Sequence, residues 1–440
     1  MDSVIPDIGT FAFMAAAFIV ALSVIVAVHE FGHYIVGRWT GIRADVFSIG
    51  FGPVLASRVD RHGTRWQIAA LPLGGYVKFR GDANAASAGA DAEMIHQMTP
   101  QELRETMHGA PLWARAATVA AGPVFNFILA IALFFALLLW MGLPREPVTI
   151  ERFHAMPVDT GGLREGDVLL EVDGIALADI TTENQPEPRP TIPYLVERDG
   201  QQIAVEGPWW QPPLVGGVQP DSAGADSGLR EGDYIAAIDD EPVFDFAQLS
   251  RIVRETDGRE LKLSVWREGE TLEVSLNPRM TSSPRAEGGF ETRYLIGLYS
   301  SSLFEAERRT PGVIEAAGLA VERSWLQFTT TISGLAHIVT GRISTCNIAG
   351  PLTIAKVSGQ TALMGPEQFV TLVAALSIMI GFANLLPIPI LDGGHLVFHA
   401  WEAVAGRPPP DRVLNVLMVG GLAVLIALMV FAVSNDLFCP

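Results

Sequence analysis

The sequence predicts a polytopic α-helical membrane protein with four transmembrane helices, a membrane-associated β-hairpin and two tandem small β domains outside the membrane. Three observations predict it. The 440 residues are 49% hydrophobic and only 18% charged, less charged than ordinary soluble chains. Four uncharged stretches, Phe11–Val28 (extendable through Gly37), Ala116–Leu143, Phe369–Leu391 and Val413–Asn435, approach or exceed the roughly 20 helical residues that cross a bilayer. Between the second and third, "GLREGDVLLEVDG" at 162–174 recurs as "GLREGDYIAAIDD" at 228–240. That spacing is close to the size of one small domain.

The first stretch does not read as a signal peptide, because it lacks a basic flank and a small-residue cleavage site. Between the first two spans lie Arg38, Arg43, Arg58, Arg61, Arg65, Lys78, Arg80, Arg104 and Arg115, and the last link carries Arg407 and Arg412. The positive-inside rule places these loops in the cytoplasm and both termini outside. The expected order is a first span over 1–38, hairpin and linker over 39–111, and a second span over 112–143. Small β domains follow over 144–213 and 214–280, then a linker with helices over 281–366. A third span over 367–402 and a turn with the fourth span over 403–440 complete the chain. A net charge of −18 argues against a nucleic-acid partner. Cys346 and Cys439 are too few for a disulfide framework and lack close ligand spacing; they could pair in an oxidising space.

Residues 44–80 alternate apolar runs with Gly and Pro and read as strands, with "RHGT" as the turn. Their apolarity suggests a hairpin dipping into the membrane beside the helices, where protein must shelter its backbone; a small surface hairpin is the alternative. Residues 81–100 read as a linker, after which Thr99 and Glu102 form a capping box. Each "GLREGD" copy leads into an alternating, half-buried strand. "RELKLSVWREGETLEVSL" at 259–276 reads as a hairpin with a Glu-Gly turn, and 280–289 as a linker. Helical periodicity over 313–340 suits a helix along the outer membrane surface or a connector. "GRPPPD" at 406–411 is a tight turn.

The chemistry concentrates at "VHEFGHYIVG", residues 28–37. Positions four apart share a helix face, so His29 and His33 can grip one zinc ion. Glu30 is placed to move a proton. Ionisable groups at bilayer depth are functional candidates by default. Catalytic zinc takes three protein ligands, and "NLLPIPILDGGH" at 384–395 offers the third. Pro387 and Pro389 break the helix there, beside Gly393 and Gly394. Asp392 is the preferred ligand; His395, three residues farther on, is its rival. Asn126 in the second span could contact a substrate backbone or a developing oxyanion, or hold helices together.

"GLREGD" followed by an apolar strand and a turn resembles the PDZ domain, which takes up peptides at a sheet edge. The whole chain resembles the site-2 protease family of zinc intramembrane metalloproteases. The match rests on "HEFGH", "GPVFN", the tandem PDZ-like domains and "NLLPIPILDGG". The resemblance implies zinc as cofactor, His29, His33 and Asp392 as its ligands, and Glu30 as the catalytic acid/base. It extends a substrate-contact role to Asn126, Asn384, Pro387, Pro389, Gly74 and Gly75. It further implies regulated proteolysis of trimmed single-span proteins, an anti-sigma factor and remnant signal peptides among them. The setting it implies is a bacterial inner membrane, with termini and PDZ-like domains periplasmic and the active site towards the cytoplasmic side. A non-catalytic PDZ scaffold or a metal transporter are the other readings. Glu30 separates them, since a static scaffold does not need it.

Overall fold

The computed structural model describes residues 8–82, 92–181, 184, 186–219, 222–284 and 290–438. Cys439 and parts of the expected linkers at 81–100 and 280–289 lie outside the described residues. The chain divides into two compact units. One holds the chain up to Leu137, Ile314–Ala336 and everything from Thr345; the other holds Leu138–Val313 and His337–Ser344.

Among the described residues, seven helices longer than ten residues carry the first unit and its connections. They are α1 (Ile8–Trp39), α2 (Leu112–Met141), α3 (Val313–Val339), α4 (Pro351–Met364), α5 (Pro366–Leu385), α6 (Asp392–Ala405) and α7 (Asp411–Phe438). Helices α1, α2, α5 and α7 are each long and apolar enough to cross a membrane. The expected break in the third span is present. Helix α5 ends with Leu386 in extended backbone, and α6 restarts at Asp392. Pro387 and Pro389 cannot donate helical hydrogen bonds. Gly393 and Gly394 serve close approach: a Cβ on either would lie 2.3 Å from the carbonyl oxygens of Leu385, Leu386 or Ile388.

Small residues also bring α1 against its neighbours. A Cβ on Gly32 would sit 2.6 Å from the Ala121 carbonyl oxygen, and one on Gly359 of α4 would run into Met14. Ser377 of α5 donates to the Asn126 carbonyl of α2 at 2.8 Å. Arg115 and Glu402 tie the start of α2 to α6 by two bonds of 2.6 and 3.0 Å. Asp436 of α7 accepts from the Gly350, Leu352 and Thr353 amides and the Thr353 hydroxyl, capping α4 from outside the helix. Cys346 is disulfide-bonded.

The expected hairpin, β1 (Ala44–Val59) and β2 (Arg65–Phe79), folds back on itself. Val46–Ile49 pair with Arg65–Ile68 on one side and with Gly75–Lys78 on the other. Val54–Val59 then pair with Arg65–Ala69, so four strand segments lie side by side. Gly50 and Gly52, both at positive φ, allow the bend in β1. Asp60 closes the turn, accepting from the His62 and Thr64 amides, Trp66 Nε1 and the Tyr34 hydroxyl. Phe47, Val77 and Phe79 pack with Tyr34 and Ala114 into a core at the C-terminal end of α1.

The second unit contains two β modules with separate cores. Each is built on a four-stranded sheet, one holding Val168–Val172 and the other Tyr234–Ile238 at its second position. The repeated motif makes the same bonds twice. Asp167 accepts from the Arg164 amide and Asp233 from the Arg230 amide, each at 2.8 Å. Arg198 then grips Asp167 and the Gly162 carbonyl, as Arg267 grips Asp233 and the Gly228 carbonyl. The Glu268-Gly269 hairpin turn forms as expected, both residues at positive φ, which suits the twist of its strands.

Of 281–366, expected as a linker with helices, the helices form, but 281–284 and much of 290–309 are strands rather than linker. Leu298–Ser300 pair with Val215–Val218 of one module, and Phe304–Ala306 with Ile150–Phe153 of the other. Arg308–Arg309 then pair with Leu143–Pro144. The chain therefore completes both modules on its way back.

Candidate metal centre

His29 and His33 lie one turn apart on α1, with their Nε2 atoms 3.2 Å from each other. Asp392, the first residue of α6, brings Oδ2 to 3.2 Å from His29 Nε2 and Oδ1 to 3.5 Å from His33 Nε2. Ligands held tetrahedrally at the usual zinc distances are about 3.3–3.5 Å apart, so these three fit one zinc ion. No other group of His, Cys, Asp or Glu with ligand spacing occurs among the described residues. His395, the rival ligand, is not part of the group.

Two further observations fit a cation here. The His33 Nδ1 lies 2.8 Å from the Thr118 carbonyl oxygen. A carbonyl only accepts, so Nδ1 carries the proton and Nε2 offers its lone pair. Asp392 turns its two carboxylate oxygens to the two imidazole Nε2 atoms. Where those nitrogens offer lone pairs, the carboxylate needs positive charge between them.

Gly122 of α2 makes room for the rings. A Cβ there would lie 2.3 Å from His33 Nε2 and 2.8 Å from His29 Cε1. Neither Gly122 nor Thr118 stood out as a site residue in the sequence. Finding them requires knowing which face of α2 meets α1.

Glu30 is half-buried on α1, beside the strand segment that carries Gly74 and Gly75. A Cβ on Gly75 would meet the Ser48 carbonyl oxygen at 2.7 Å and Glu30 Cγ at 3.5 Å. Of the expected substrate contacts, Asn384 and Pro389 are half-buried and Pro387 is exposed in the break after α5. Of the two expectations for Asn126, the helix-joining one is closer to the geometry. The residue is 0% exposed, and its side-chain amide lies 3.2 Å from His29 Nδ1, behind the ring.

Comparison with known proteins gives a consistent result. The profile described as "Peptidase family M50" matches residues 17–428. A protein of Agrobacterium fabrum (strain C58 / ATCC 33970) that carries a zinc metalloprotease name is 36% identical over 440 residues, covering 99% of both chains. One of Rhizobium meliloti (strain 1021) with the same kind of name is also 36% identical, over 99% of this chain and 98% of its own. The regulator of sigma-E protease RseP of Salmonella typhimurium (strain 14028s / SGSC 2262) is 32% identical over 96% of this chain and 97% of its own.

Proposed function

The chain belongs to peptidase family M50, and we propose that it cuts trimmed single-span proteins inside their membrane segments, with His29, His33 and Asp392 holding the zinc. It is a zinc metalloprotease of the intramembrane type. The observation that carries the site assignment is the convergence of two imidazole nitrogens and a carboxylate at zinc spacing on helices long enough to span a bilayer.

Zinc, when bound, supplies Lewis acidity to the scissile carbonyl and to the attacking water. The chain's own groups do the rest. Glu30 takes a proton from that water and returns one to the leaving amine. A transmembrane helix hides its peptide groups in its own hydrogen bonds, so the substrate must be held unwound. The strand segment at Gly74–Lys78, beside Glu30, offers an edge for strand addition. Val54, Leu55 and Val59 on the far edge of this sheet are exposed, which suits contact with lipid. Asn384, Pro387 and Pro389 flank the helix break and supply further substrate contacts.

In this reading the two β modules are PDZ-like and periplasmic, both termini face the periplasm, and the membrane is the inner membrane of a Gram-negative bacterium. The modules admit only substrates whose exterior domain has been removed. The RseP relative carries sigma-E regulation in its name; an anti-sigma factor and remnant signal peptides are accordingly the proposed substrates. The test is cleavage of a membrane-inserted single-span peptide, with products mapped by mass spectrometry. Cuts within the apolar segment, abolished by a chelator and restored by zinc, are expected. Cuts confined to the soluble flanks would contradict the proposal.

A further inference from the structure

We infer that Asn126 is a positioning residue for the metal ligand His29, acting as the hydrogen-bond acceptor that fixes the ring's tautomer, and not as a substrate contact. This rests on the metal site proposed above. The side chain is fully buried. It faces Nδ1 of His29, whereas Nε2 faces His33 and Asp392. Substrate reaching Glu30 and the ligands would meet the Nε2 side of the ring. Asn126 stands behind it, where α2 is further tied to α5 by the Ser377 bond to its backbone carbonyl.

A neutral imidazole that offers Nε2 to a metal must carry its hydrogen on Nδ1. That hydrogen needs an acceptor, and such outer partners commonly orient metal-bound histidines. His33 has one in the Thr118 carbonyl oxygen. For His29 the neighbouring group is the Asn126 amide, whose Nδ2 lies 3.2 Å from Nδ1 while Oδ1 is buried without a partner. Left so, the amide donates to Nδ1 and forces the hydrogen onto Nε2, towards Asp392. The oxygen and nitrogen of an amide are exchanged by a half-turn of the side chain. Turned, Oδ1 accepts from Nδ1–H, the orphaned oxygen gains a donor, and both histidines present lone pairs to one point.

The test is zinc affinity of the full-length protein, measured by competition with a chelator of known affinity, with apo-protein thermal unfolding as the fold control. Aspartate can accept at this position but not donate, so Asn126→Asp should hold zinc within about threefold of wild type. Asn126→Leu removes the acceptor and should weaken zinc by about 10–100-fold, the usual cost of losing an outer partner. If Asn126→Leu does not fold, Asn126→Asp alone decides. A 10-fold or larger loss in Asn126→Asp would overturn the inference by making the amide a donor. Unchanged zinc affinity in Asn126→Leu, with a raised KM for peptide, would overturn it in favour of substrate contact, while leaving the metal site intact. A wild-type protein that binds no zinc would overturn both.

Discussion

At the scale of single residues, the site divides by how local its geometry is. His29, Glu30 and His33 were legible because one helix turn fixes their relation. Asp392 was legible because two prolines and two glycines mark a break that needs a reason. Thr118, Gly122 and the facing of Asn126 were not, since they depend on how two helices roll against each other. Three outcomes follow here. Glu30→Gln should bind zinc as wild type does yet lose at least about 100-fold in cleavage rate; zinc content and product formation check it together. Gly122→Ala would push a methyl into both imidazoles and should lower zinc affinity by about 10–100-fold, measured by chelator competition. Asp60 gives the pH dependence. Burial raises its carboxyl, but the bonds from Trp66, the His62 and Thr64 amides and Tyr34 outweigh this and hold it at about 2. A lowered value stabilises the folded turn fully above the ordinary 3.8 and loses that contribution as pH falls through about 2. Trp66 fluorescence should therefore change over this range in wild type and not in Asp60→Asn.

At the scale of elements, the four spans, the split third span and both repeated motifs were readable because each is a local pattern: an uncharged run, a Pro/Gly cluster, a duplicated hexapeptide. The four-segment sheet was not, because β1 pairs with two separate stretches of β2 and the hairpin pattern shows only one. The short strands over 298–309 were missed for the same reason. Their partners lie about 80 to 165 residues earlier, and three residues carry no periodicity. The duplicated Asp–Arg clamp explains why "GLREGD" recurs. Asp233 is 1% exposed while Arg267 is partly exposed. Asp233→Ala should destabilise its module by roughly 3 kcal/mol, the lower end for breaking a buried pair, read as a drop in the unfolding temperature of the second unit.

At the scale of the whole molecule, a candidate metal centre sits on helices fit for a bilayer, and two β modules share the chain with it. The sequence conveyed that division through its uncharged runs and its repeated motif, while the route of the returning strands lay beyond it. Those strands also decide how the gating idea should be tested. Cutting out only 146–280 would orphan the partners at 298–306. Joining Pro144 to Arg308, which are already paired, removes both modules cleanly. That shortened protein should cleave substrate that still carries its exterior domain, whereas the intact protein should not. If cleavage still requires prior trimming, the modules do not gate.

The central claim is that two imidazoles and the Asp392 carboxylate hold one zinc ion within the spanning helices. X-ray absorption at the zinc edge on the purified full-length protein tests it most directly. The account predicts about one zinc per chain, with two nitrogen and at least one carboxylate oxygen neighbours at roughly 2.0–2.2 Å, and loss of that oxygen in Asp392→Ala. A spectrum with three imidazole nitrogens, unchanged by Asp392→Ala and altered by His395→Ala, would contradict it.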